Sequence, residues 1–368
     1  MKENYRKAAH VMFECGSRLG LELVTVVGLK KQVLLNHFCN LHSGCLINFL
    51  RQVQAYLATI NSLRLVSPKY QWIVRPGHSS NPGVSPKRLA DGEEKPDEAG
   101  AGTTMEVIEL KDIEKELVLT QARLKLVKFS ASTELSLPVA PGLSPAETVA
   151  LLAAANLFWD GVTICKTFNL PRSMLIVVES LASKCVKLSA GRGEQGTAWQ
   201  WLQENRVGGG EVAGDSPVEA AWHLLEKVVG EEEKGSTALH RAALQRLVSL
   251  ACTPPPWLLA SYKKKDAAEL IRVFHSLGHI EVAGEVAIEL VKAVMGVGSE
   301  YFGLEGGLVA TGKPAWLPWT VLDRLLLELA DHTALPGVAR VKTNLEKCVD
   351  QYLATVDRVS RDMVASRA

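Results

Sequence analysis

The stretch Ser144-Pro-Ala-Glu-Thr-Val-Ala-Leu-Leu-Ala-Ala-Ala-Asn156-Leu-Phe-Trp-Asp-Gly-Val-Thr-Ile-Cys-Lys-Thr-Phe168 reads as two helices joined by a tight corner. Ser144, Pro145 and Glu147 stand where a helix needs a cap, a proline in its first turn and a carboxylate near its positive end. Behind them Val149, Leu152 and Ala153 share one face, and after a corner near Asn156 a second face carries Val162, Cys165 and Phe168. Shifting the sequence by 121 residues lays Leu270, Val273 and Phe274 on the first set and Ala283 and Val286 on Val162 and Cys165, with Ile280-Glu281 over Trp159-Asp160. A helical pair with one apolar stripe per helix cannot cover it alone, so a repeating pair predicts stacking into a continuous core. The fold class expected is all-α, an α-solenoid of stacked helical hairpins.

Periodicity outward from this stretch supports the same class, because apolar residues recur at steps of three and four and period-two alternation is scarce. Further helices are expected at Pro171 to Leu188, Gln195 to Asn205, Ser216 to Val229, Ser236 to Ala251, Trp319 to Asp331 and Pro336 to about Val364, with glycine-rich breaks at 191 to 196 and 208 to 214. Toward the N-terminus, Tyr5, Ala8, Ala9, Met12 and Phe13 line a first helix that Gly16 and Gly20 weaken. A second helix spans Gln54 to Val66 and stops before Ser67-Pro68, since the residue ahead of proline avoids helical backbone angles. Helical pattern resumes at about Met105 and runs to Phe129. The organisation expected is N-terminal helices over 1–66 with an atypical insertion at about 33–53, a disordered linker over 67–104, and a C-terminal solenoid over 105–368. The linker assignment rests on its prolines, glycines and the Asp91-Gly92-Glu93-Glu94-Lys95 cluster, which bury too little apolar surface to offset ordering entropy.

Composition limits function. The 368 residues carry 41 Lys+Arg against 40 Asp+Glu, a net charge of +1. Such balance removes the phosphate attraction of a typical nucleic-acid binder, and no nucleic-acid partner is expected. Seven scattered cysteines read as free thiols in a reducing compartment. The uncharged run Gln32 to Leu50 has membrane-span length, but Asn36, His37, Asn40, His42 and Asn48 would bring polar groups into hydrocarbon, so no transmembrane segment is expected.

Motifs for chemistry fail in context. Gly307-Leu-Val-Ala-Thr-Gly-Lys313 fits the first seven positions of a phosphate loop, yet Pro314 replaces the hydroxyl that would hold magnesium. Gly191-Arg-Gly-Glu-Gln-Gly196 spells a dinucleotide pattern but follows a helix end, outside any βαβ unit. His37, Cys39, His42 and Cys45 offer soft ligands in one short run, where closing a tetrahedron would strain the backbone. No catalytic residue, cofactor, metal or small-molecule substrate is therefore expected, and the chain is read as a non-enzyme. Ser85-Pro86-Lys87-Arg88 suits a proline-directed kinase, with Ser85 the candidate phosphorylation site.

In the last helix Leu345, Val349, Tyr352, Val356, Val359 and Met363 follow one another at steps of 4, 3, 4, 3 and 4. This seam can pack on the preceding helix, with its Leu322, Leu325, Leu326 and Leu329, or receive another chain. The residues expected to bind a partner are Leu322, Leu326, Tyr352, Val356 and Val359.

Several segments are specific rather than generic: Met1-Lys-Glu-Asn-Tyr-Arg-Lys-Ala-Ala9, Pro68-Lys-Tyr-Gln-Trp-Ile-Val74, Ser261-Tyr-Lys-Lys-Lys-Asp-Ala-Ala-Glu-Leu270, Tyr301-Phe-Gly-Leu304 and Trp316-Leu-Pro-Trp319. They resemble the C-terminal part of the nucleoporin 160 family. The resemblance implies a scaffold subunit of the Y-complex, the outer ring of the nuclear pore, docking to other Y-complex scaffold nucleoporins and supporting pore assembly, nucleocytoplasmic transport and mRNA export at the nuclear envelope. It also implies a fragment or short isoform, without the family's β-propeller, in which Val33 to about Val53 departs from the family pattern. The alternative from a different class is a helical-repeat adaptor that binds extended peptide segments transiently.

Overall fold

The computed structural model describes residues 2–30, 38–76, 105–132, 142–191, 195–205, 216–233, 235–307 and 317–365. The fold is an all-α solenoid, as the periodicity requires, and its contacts divide it into two compact units.

The first unit comprises Met1–Ala155 with Asp160–Leu170. Helix α1 (Lys2–Lys30) lies on α2 (Phe38–Arg64). Gly16 and Gly20 do not end α1. A Cβ on Gly16 would stand 2.9 Å from the Tyr56 ring, and one on Gly20 2.8 Å from the Gln52 amide. The two glycines thus let the helices approach, and this packing outweighs their poor helix propensity. Likewise α2 begins at Phe38 rather than near Gln54, so most of the expected insertion is continuous helix, with Phe49 and Gln52 buried.

After a short 3-10 turn at Pro68–Tyr70, β1 (Trp72–Pro76) pairs antiparallel with β2 (Met105–Glu109), Ile73 opposite Ile108. The helix expected from Met105 therefore starts at Leu110, as α3 (Leu110–Ser132). Met105–Glu109 is drawn into a strand by a partner some thirty residues upstream, which local periodicity does not report. Ile73 and Ile108 join Ala9, Phe13, Tyr56, Ile60, Leu63 and Ile113 in one apolar cluster. The hairpin thereby closes the end of the α1–α2–α3 layer.

Helix α4 (Pro145–Ala154) opens with the expected capping box: the Ser144 hydroxyl accepts from the Glu147 amide at 3.3 Å, and the Glu147 carboxylate accepts from the Ser144 amide at 2.7 Å. The Ser144 amide and the Ser144 hydroxyl, each donating to the Glu147 carboxylate at 2.7 Å, hold that carboxyl below its usual range. Helix α5 (Phe158–Phe168) follows, and Asp160 pairs with Lys125 of α3.

The second unit comprises Asn156–Trp159 with Pro171–Ala368. It holds α6 (Pro171–Ser189), α7 (Gln195–Glu204), α8 (Pro217–Glu232), α9 (Ala238–Ser249), α10 (Pro256–Ser276), α11 (Ile280–Met295), a 3-10 turn at Ser299–Phe302, α12 (Trp319–Asp331) and α13 (Pro336–Ala365). Helices α6 to α9, α12 and α13 fall within a few residues of their expected spans. The corner at Asn156 takes positive φ (+58°) and is clamped by α7. Its carbonyl accepts from Trp201 Nε1 and Asn205 Nδ2, both at 2.8 Å, while Asn205 Oδ1 accepts from the Trp159 amide at 3.0 Å. The residues aligned by the 121-residue shift, Leu270, Val273, Phe274, Ala283 and Val286, are all buried.

Candidate interaction surface

Helix α13 is placed by two glycine contacts. A Cβ on Gly284 of α11 would overlap Val341, and one on Gly337 would overlap the Glu281 carboxylate. The pairing of 284 with 341 and 281 with 337 means that α11 and α13 run in the same direction. The same eleven residues carry α11 from Gly284 to Met295, its last residue, and α13 from Val341 to Tyr352. On the other side the Trp319 ring, at the first residue of α12, meets the Tyr352 ring at 5.8 Å between centroids. Both helices that flank α13 therefore stop level with Tyr352.

Burial follows this geometry. Val338, Val341, Leu345, Cys348 and Tyr352 are buried, and no residue of α13 beyond Tyr352 is. Residues 353–365 project for about 20 Å at 1.5 Å per residue. Of the five residues expected to bind a partner, Leu322 and Tyr352 are core, packed between α12 and α13, whereas Leu326, Val356 and Val359 are half-buried. The structure also exposes Leu327, Leu353 and Val364, at 70%, 51% and 70%. These were missed because they lie off the seam, and the 3–4 spacing used to find anchors selects one stripe only.

A second feature is an apolar groove of about 520 Å³. Pro256, Leu259, Ala260 and Lys263 line it from one face of α10, Glu289 and Lys292 from α11, and Val297, Tyr301 and Phe302 from beyond α11. Tyr301 is 64% exposed.

The specific segment Ser261 to Leu270 surrounds a break in α10. Asp266 adopts extended backbone (φ −157°, ψ 90°), and its carboxylate accepts from the Glu269 amide at 2.9 Å, capping the second half of the helix. Beside the break lies a buried polar network. His240 Nε2 meets the Ser261 hydroxyl at 2.8 Å and its Nδ1 meets the Glu233 carboxylate. Glu233 also accepts from the Leu239 amide at 2.7 Å, and Lys265 approaches its carboxylate at 3.6 Å. Burial works against ionisation of Glu233, but the hydrogen bond and charge of His240, the Leu239 amide and Lys265 together hold its pKa below the ordinary value.

Serine, histidine and carboxylate in this order have the connectivity of a hydrolytic triad. The amides next to Ser261 are not available as oxyanion donors, because Ser261 lies inside a helix whose amides are bound to carbonyls one turn earlier. His240 is fully buried. The trio acts instead as a bridge that ties the end of α8 to α9 and α10. None of the three had a sequence signal, since a lone histidine within an apolar helix face reads as core.

The rejected motifs fit this picture. Gly307, first glycine of the phosphate-loop string, lies so close to Gly296 that a Cβ would overlap backbone. Its glycine is required by chain packing, and residues 308–316 lie outside the described residues. Gly191 takes positive φ (+65°) just past α6, and α7 follows at Gln195, so helices and no strand flank the second string. His37 lies outside the described residues, as does Ser85, while Cys39, His42 and Cys45 fall on α2. Among the described residues no cluster of three metal-ligating side chains occurs and no helix is long and apolar enough to cross a membrane. Cys15, Cys45, Cys165, Cys185, Cys252 and Cys348 form no disulfide with one another.

Residues 109–368 match the family described as Nup160 C-terminal TPR. The chain belongs to the Nup160 family. Residues 1–39 also match the NUP160/120 middle TPR family, so the two matches leave 40–108, with nearly all of α2 and the β hairpin, between them. Over its whole length the chain is 37% identical to nuclear pore complex protein Nup160 of Mus musculus and 36% identical to that of Homo sapiens. It is 28% identical, over 99% of its length, to the Nup160 homolog of Drosophila melanogaster. In each case the chain spans 24% of the relative's length. The segments at Ser261–Leu270 and Tyr301–Leu304 that carried the resemblance thus build, in this Nup160-family chain, the α10 break and the wall of the groove.

Proposed function

We propose that this chain is a structural, non-enzymatic part of the nuclear pore scaffold at the nuclear envelope, and that the projecting end of α13 docks it to other scaffold nucleoporins. The nuclear pore name of its relatives supports the first part. The second rests on one observation: the apolar seam continues through Val356 and Val359 after burial has ended at Tyr352. Amphipathic helices use such i, i+3, i+4 anchors to fill a partner's groove. In this reading Leu322 and Tyr352 form the rigid platform, Leu326, Val356 and Val359 the contact, and support of nucleocytoplasmic transport and mRNA export follows from pore assembly.

The test compares the intact chain with a Val356→Asp, Val359→Asp double variant as baits in nuclear extract, with bound nucleoporins identified by mass spectrometry. Both proteins should show equal helicity by circular dichroism. The intact chain should recover pore scaffold subunits and the variant should lose most of them. Equal recovery by both would move docking away from α13.

A further inference from the structure

Helix α1 has two apolar faces. Ala9, Phe13 and Gly16 turn toward α2 and are buried. Tyr5, Ala8, Met12 and Cys15, at steps of 3, 4 and 3, form a second stripe about a quarter turn round the helix, continued by half-buried Leu19 and flanked by Val11. This stripe is open to solvent: Tyr5 is 38% exposed, Met12 43% and Val11 63%, with Ala8 and Cys15 also exposed. Lys7, Glu14 and Arg18 lie on the remaining side, while half-buried Arg6 stacks on the Trp72 ring. A helix apolar on two faces and charged on a third has the pattern of one packed between two neighbours.

We propose that the outer face of α1, formed by Tyr5, Ala8, Val11, Met12 and Cys15, is a docking face for an amphipathic helix of a Nup160/120-type middle TPR segment. Helical repeats stack so that each helix is covered from both sides by its neighbours. In this chain α2 supplies one cover for α1. Residues 1–39 match the middle TPR family while 109–368 match the C-terminal one, so α1 belongs by sequence to the repeat array whose helices would supply the other cover. The site is separate from α13, and neither reading depends on the other.

The probe is the middle TPR region of the Mus musculus relative, ended before the residue aligned with Met1 and expressed separately. Mixed with the full chain, it should co-elute as a one-to-one complex. It should also slow maleimide modification of Cys15, read by mass spectrometry on the Cys15 peptide, by about tenfold or more, because modification requires access to the thiolate. Val11→Asp and Met12→Asp should abolish both effects while leaving the circular dichroism spectrum unchanged. If the wild-type chain forms no complex and Cys15 reacts at the same rate with and without the probe, the proposal fails. Light scattering of the chain alone covers the other occupant: a concentration-dependent dimer with protected Cys15 would assign the face to a second copy and equally overturn the proposal.

Discussion

Gly284 of α11 lies directly under Val341 of α13, with room for a hydrogen and none for a methyl group. Gly284→Ala should lower stability by about 1–3 kcal/mol, the usual cost of overpacking a closed interface. Adding Val341→Ala should return part of that loss, since the second change removes the clashing methyl. Urea unfolding of the two single variants and the double variant would measure the coupling; additive losses would mean that the helices part elsewhere.

The Tyr352 ring and the two valines after it should respond in opposite ways. Tyr352 is 6% exposed, so Tyr352→Ala should lower stability by about 3 kcal/mol and reduce the melting temperature. Val356→Ala and Val359→Ala remove half-buried side chains beyond the flanking helices, and each should cost less than about 1 kcal/mol. Differential scanning calorimetry separates the two classes.

Asn205 is 1% exposed and its amide makes hydrogen bonds to three backbone groups. Asn205→Ala leaves the Trp159 amide without its acceptor and should destabilise the second unit by about 2–3 kcal/mol. Hydrogen exchange at the Trp159 amide should rise in the variant. Unchanged protection there would mean that another group takes over the cap.

Acid sensitivity should centre on Glu233. Its folded pKa is below the ordinary 4.5, so its contribution is complete above that value and is lost as pH falls through the lower folded one. Glu233→Gln should therefore melt well below the wild type at pH 7, and the gap should narrow as pH drops beneath 4.5. A gap independent of pH would show that the charge of Glu233 has no part in the bridge.

Thiol reactivity should follow burial. The Cys165 thiol is pushed up to about 12 by burial, and Cys185, fully enclosed, is raised as well. Both should resist a maleimide in the native state and react once the chain is unfolded, while Cys15 reacts throughout.

Much of this architecture was legible in the sequence because helix faces are local. Val149, Leu152, Ala153, Val162, Cys165 and Phe168 were assigned to one core by spacing alone, and all but the half-buried Phe168 are buried. Features set by distant segments were not legible. Gly16 and Gly20 read only as weak points of the first helix because the reason for them, Tyr56 and Gln52, stands on another helix. The strand at Met105–Glu109 exists only through its partner at Trp72–Pro76. The break in α10 did leave a local trace, since Asp266 followed by Glu269, just ahead of the apolar Leu270, Ile271, Val273 and Phe274, is a cap signal. For the surface, the spacing that found the α13 seam could not tell Tyr352 from Val356; what separates them is the length of α11 and α12.

The β hairpin carries one more implication. Its last pair, Pro76 with Met105, brings the two ends of the segment 77–104 to adjacent strands. Neighbouring strands lie about 4.8 Å apart whatever joins them, and each doubling of a connection adds only about 0.6 kcal/mol of closure entropy. Residues could therefore be gained or lost between 77 and 104 during descent without moving a single helix, which makes this the position where related chains can diverge in length while the helical framework stays under constraint.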